Sequence, residues 1–155
     1  MPSSKDKLKP LKDYLEQYAK SVEGEMLSRL MRYDKANGKL AKTLDVKVVK
    51  KNNWYELQYS MQDYWEFVDK GVNGLKKRVG SKFTFKYANP SRKHVKALEK
   101  WGRMRGIPKD KAYAVGVKVK RDGIAPTQFY SLTVNRRRKQ FEKKVEDIIF
   151  DILNK

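Results

Sequence analysis

Residues 44–61 read LDVKVVKKNNWYELQYSM, and the fold class turns on them. Leu44, Val46 and Val48 alternate with Asp45 and Lys47. After Lys51-Asn52-Asn53, the apolar Tyr55, Leu57, Tyr59 and Met61 alternate with Glu56, Gln58 and Ser60. A period of two sends successive side chains to opposite faces of a strand. Two such runs around a short polar turn predict an antiparallel hairpin with one wet face.

Upstream the period changes. Leu11, Leu15, Tyr18, Val22, Met26 and Leu30 form one helical stripe, with Pro10 suited to the first turn and the stop expected before Asn37-Gly38. Residues 1–9 read as a flexible basic arm. Downstream, a short aromatic segment (Asp63 to Asp69) leads into Gly71-Val72-Asn73-Gly74 and a basic loop, Leu75 to Lys82. Phe83, Phe85 and Tyr87 alternate with lysine and threonine, which predicts a third strand or an extended arm at about 70–90. Asn89-Pro90 is expected to cap a second helix, with the stripe His94, Ala97, Leu98, Trp101 and Met104 and a stop at Gly106. Residues 112–121 fit a helix through Ala112, Val115 and Val119, but Tyr113, Val115, Val117 and Val119 fit a strand better by period. Phe141, Val145, Ile148, Ile149 and Ile152 predict a last amphipathic helix from about Asn135 to Leu153. The expected class is α+β: an antiparallel sheet packed by two to four helices, with an extended arm, in one domain over residues 10–155.

Bond-making chemistry finds little purchase. The chain has 155 residues, no cysteine and one histidine, so disulfides and thiolate metal sites are excluded. His94 lies on an apolar stripe, where a packed ring is the ordinary role. Asp45-Val46-Lys47 has the carboxylate-x-lysine form of metal-dependent nucleases. Glu142-Lys143-Lys144 repeats that form by chance, and Asp34 is the nearest upstream acid. Glu66 with Asp69, and Glu142 with Glu146, share helix faces with lysines, as ordinary ion pairs do. No phosphate-cradling glycine loop is present. A non-enzymatic chain without cofactors is the expectation.

Charge points elsewhere. Lys and Arg number 37 against 18 Asp and Glu, a net +19, and such a field favours polyanions. The candidate contacts with DNA or an acidic partner are Lys76, Lys77 and Arg78, then Arg92, Lys93 and Lys96, then Arg136, Arg137, Arg138 and Lys139. Tyr64, Trp65, Phe67, Phe83, Phe85 and Tyr87 could stack on bases, but their alternation fits packing better, and five to six large aromatics in extended, glycine-flanked segments exceed what a small sheet needs. Tyr64, Trp65, Phe67, Phe83, Phe85, Tyr87, Phe129 and Tyr130 are therefore candidate subunit-interface residues. No apolar run approaches the roughly 20 residues of a membrane span, and MPSSKDKLKP lacks the apolar segment of a secretory signal. No membrane partner is expected.

Two segments in order carry a resemblance: Tyr64-Trp65-Glu66-Phe67-Val68-Asp69-Lys70-Gly71-Val72-Asn73-Gly74, and Gly123-Ile124-Ala125-Pro126-Thr127-Gln128-Phe129-Tyr130 before the final helix. With Gly38-Lys39-Leu40 ahead of the first strand, the chain resembles the tail-completion and neck proteins of tailed bacteriophages. The resemblance implies a small α+β virion protein without catalysis, forming a homo-oligomeric ring at the head–tail junction. It implies neck, portal or tail proteins and packaged double-stranded DNA as partners, and assembly in the host cytoplasm. It also implies the helical reading of residues 112–121. The alternative reading is a sequence-nonspecific nucleic-acid-binding protein.

Overall fold

The computed structural model describes residues 7–33, 38–52 and 54–154. Residues 1–6 of the expected arm, Asp34, Asn37 and Asn53 lie outside the described residues. The class is α+β, and the chain forms two compact units, residues 1–65 with 128–155 and residues 66–127.

The first unit is built on α1 (Lys9–Arg32). Pro10 sits in its first turn, and Lys9, assigned by sequence to the arm, is already helical. Of the stripe read from spacing, Leu15, Val22, Met26 and Leu30 are buried, with Ala19 beside them, while Leu11 and Tyr18 are half-buried. A short α2 (Lys39–Thr43), with Gly38 at its N-cap, places Leu40 and Leu44 in the same core. β1 (Asp45–Lys51) and β2 (Trp54–Ser60) pair antiparallel from Asp45↔Ser60 to Lys51↔Trp54. Lys51 thus belongs to the strand rather than to the turn. Val46 opposite Tyr59 and Val48 opposite Leu57 share a face. The Glu23 carboxylate accepts the Val46 N–H at 2.9 Å, tying β1 to α1. The C-terminal helix of the unit packs against α1.

The second unit contains most of α3 (Trp65–Lys70), then β3 (Val72–Asn73), α4 (Arg92–Arg103), a 3-10 turn (Lys109–Lys111), α5 (Ala112–Asp122) and β4 (Gly123–Ile124). Residues 112–122 are helical, against the period-two reading. The reason is packing against α4: a Cβ at Gly116 would stand 2.8 Å from the Pro90 ring and 3.2 Å from Leu98. Ser91, not Asn89-Pro90, caps α4, its hydroxyl accepting the His94 N–H at 3.2 Å. Phe83 to Tyr87 is extended with one parallel bridge, Thr84 to Asn73, rather than a full third strand. In the first unit, α6 (Ser131–Leu153) begins a full turn earlier than its apolar stripe indicated.

A candidate interaction surface

In the second unit the two glycine-bearing segments close on each other. Val72 pairs with Ile124 and Asn73 with Gly123. Gly71 and Gly123 have φ of 70° and 84°, and a Cβ on either would collide with the opposite backbone, at the Ile124 or Val72 carbonyl oxygen. Both the N–H and the hydroxyl of Thr127 donate to the Val68 carbonyl, at 3.1 and 2.8 Å.

Asn73, buried at this clasp, organises the basic loop. Its amide donates to the Ser81 carbonyl at 2.5 Å and the Thr84 hydroxyl at 3.2 Å. Its side-chain oxygen accepts from the N–H groups of Val79 at 2.9 Å and Ser81 at 3.2 Å. That uses the full capacity of an amide side chain. The Lys76 and Lys77 N–H groups donate to the Arg121 carbonyl at the end of α5, at 2.9 and 3.3 Å. Lys76, Lys77 and Arg78 are thereby presented, exposed, beside a helix C-terminus that favours cations.

On α4, Arg92, Lys93, Lys96, Lys100 and Arg103 are exposed. Ala97, Trp101 and Met104 belong to the apolar stripe expected from spacing, but Ala97 and Trp101 are exposed and Met104 is 67% exposed. Leu98 and Gly102 face α5 and Ile107 instead, so the apolar stripe is wider than the buried face. The Arg105 guanidinium lies 4.6 Å from the Trp101 ring centre. No period in the sequence separates an outward from an inward tryptophan. Only the density of lysine around Trp101 hinted at it.

The aromatic candidates do not form one surface. Phe129 is 0% exposed, so its assignment to a subunit interface is corrected: it fills this chain's own interior. Tyr130 stands 4.8 Å from Trp65 and 5.5 Å from Tyr59 in the first unit. Burial first, with Tyr18 and Tyr130 nearby, pushes the Tyr59 hydroxyl up to about 12. In the second unit Phe67 meets Phe83 at 4.4 Å, and the Lys120 ammonium lies 4.2 Å from the Phe85 ring centre. Tyr64 and Tyr87 remain outward, Tyr87 at 75%.

Arg136 to Lys139 also change meaning. Because α6 starts at Ser131, they begin in its second turn rather than its first. Arg137 reaches Glu25 and the Ser21 hydroxyl on α1, both at 2.6 Å, and Arg138 pairs with Glu142 at 2.7 Å. Part of the anion expected there is internal. Burial tends to raise the Glu25 carboxyl, but hydrogen bonds and charge from Arg137 and Arg29 outweigh it and hold it below its ordinary value. Arg137 also walls a groove of about 250 Å³ with Tyr14, Tyr18 and Phe141. Phe141 closes one side, 4.3 Å from Tyr18.

Chemistry-bearing residues are scattered. Asp45 and Lys47 pair with each other at 2.7 Å on an exposed face. Burial, then the Lys120 charge, lowers the His94 pKa. Among the described residues no three His, Asp or Glu side chains are grouped to hold a metal, and no helix is long and apolar enough to cross a membrane. Compared with protein-family models, curated proteins and solved structures, the chain matches none.

Proposed function

We propose that this chain is a structural virion subunit of a tailed phage, assembling with copies of itself into a ring at the head–tail neck through which DNA passes. It works by packing rather than by turnover. The observation that carries the reading is the clasp: the two segments on which the resemblance rests, some fifty residues apart, are hydrogen-bonded partners. Their pairing gives the two segments one joint architectural role, which supports the reading. The second unit adds a surface suited to polyanions, with seventeen Lys and Arg against five Asp and Glu. That same imbalance favours the second reading, a stand-alone sequence-nonspecific nucleic-acid binder. Immunogold labelling of purified particles tests the first. Label at the head–tail junction is the expected result, and label absent from particles but present in the soluble lysate overturns it.

A further inference from the structure

Two exposed helix faces, one on each unit, are opposite in charge. The last turns of α6 carry Ile149, Phe150 and Leu153 on the outside, with Phe150 at 68% and Leu153 at 78% exposure. Val145, Ile148 and Ile152 are the half-buried side of the same turns. At 100° per residue Glu146 falls between Phe150 and Leu153, while Asp147 and Asp151 lie together beyond Phe150, about 60° and 100° round the helix from it. Among the described residues none of these three carboxylates forms an ion pair. Asp151 lies in the last turn, which holds no basic residue, at the negative end of the helix dipole, a local conflict that an external cation relieves. On α4, Ala97, Trp101 and Met104 form an outward apolar strip, with Lys93 and Lys100 on its line and Lys96 beside it. These lysines also lack ion pairs among the described residues.

We infer that the α6 tip of one copy docks on the α4 face of the next. Phe150 and Leu153 pack on Trp101 and Met104, and Glu146, Asp147 and Asp151 meet Lys93, Lys96 and Lys100. The partner is a second copy because this one chain carries both halves of the match: apolar strip for apolar strip, acid row for lysine row. The contact is heterologous, the kind that closes rings when its rotation allows. It rests on the ring reading and names the surfaces that reading needs.

Sedimentation of the full chain over a micromolar concentration series is the test. Self-association is expected, weakening with salt. Asp147→Lys with Asp151→Lys, or Lys96→Glu with Lys100→Glu, is expected to weaken it about tenfold or more, all four sites being exposed. Mixing the two reversed chains restores a complex, because the lysine tip of one meets the glutamate face of the other. Circular dichroism checks that each variant is folded. A monomeric wild type, or reversals that leave association unchanged, overturns the inference. Labelling at the neck together with insensitive association defeats these surfaces alone. Association lost on reversal without labelling at the neck defeats the ring reading alone.

Discussion

Replacing Asn73 by alanine takes away two donors and the acceptor that holds the N–H groups of Val79 and Ser81. Buried groups left without partners cost more than the bonds gained in making them. The expected loss is roughly 2–4 kcal/mol in urea unfolding, and trypsin should cut faster after Lys76, Lys77 or Arg78 as the loop opens. Unchanged cleavage would mean the loop is held by its backbone bonds alone. Glu25 gives a pH-dependent counterpart. Its folded pKa lies below the ordinary 4.5, so its contribution is fully present above about pH 4.5 and is lost as pH falls through the folded value. Wild type and Glu25→Gln should therefore differ in urea midpoint near neutral pH and converge as pH falls through the folded carboxyl's lowered value. Tyr59 acts at the other extreme. Its raised pKa keeps the folded phenol neutral while the unfolded one ionises, so stability falls as pH climbs from 10 to about 12. Tyr59→Phe removes that part of the alkaline loss, read from thermal melts above pH 10.

At the scale of elements, α1 offers the cleanest substitution. Gly24 is exposed at mid-helix, and a Cβ there meets nothing within 4 Å. Gly24→Ala should stabilise the chain by about 0.5–1 kcal/mol, measured as a raised urea midpoint with unchanged slope. Elements whose burial is a local periodic pattern were legible in the sequence. The α1 stripe and the Val46–Tyr59 face of the hairpin came directly from spacing, since each needs only one partner surface. α5 was not legible by period, because Val115, Val117 and Val119 alternate as a strand does while Gly116 against Pro90 decides for a helix. That contact is tertiary and has no local signature. The start of α6 was missed for a related reason: its first turn buries Thr133, a polar residue that no apolar stripe includes. Of the candidate surface, the lysines were readable by composition. The outward turn of Trp101 and Met104, the inward turn of Phe129 and the capture of Arg137 by Glu25 depend on which neighbours each element finds.

For the whole molecule, the net +19 is divided unevenly, with seventeen of 37 cations in residues 66–127 against only five of 18 acids. A duplex brought near such a surface releases counterions for each phosphate neutralised, so log affinity falls linearly with log salt by about 0.9 per contact. Lys76, Lys77 and Arg78 are exposed, and neighbouring loop backbone is hydrogen-bonded to Asn73 and Arg121, so they reach phosphates without ordering a loop first. Replacing all three by alanine should lower that slope by about 3 and weaken binding evenly across sequences, read by fluorescence anisotropy on two unrelated duplexes. Arg137→Ala should hardly change the slope, because that guanidinium is engaged by Glu25. The comparison separates the two functional readings. A stand-alone binder keeps its steep slope as a monomer at high dilution. A ring subunit binds weakly when dilute and gains affinity as copies associate, because each added subunit brings further cations to the same duplex. Affinity independent of protein concentration would favour the stand-alone binder over the ring.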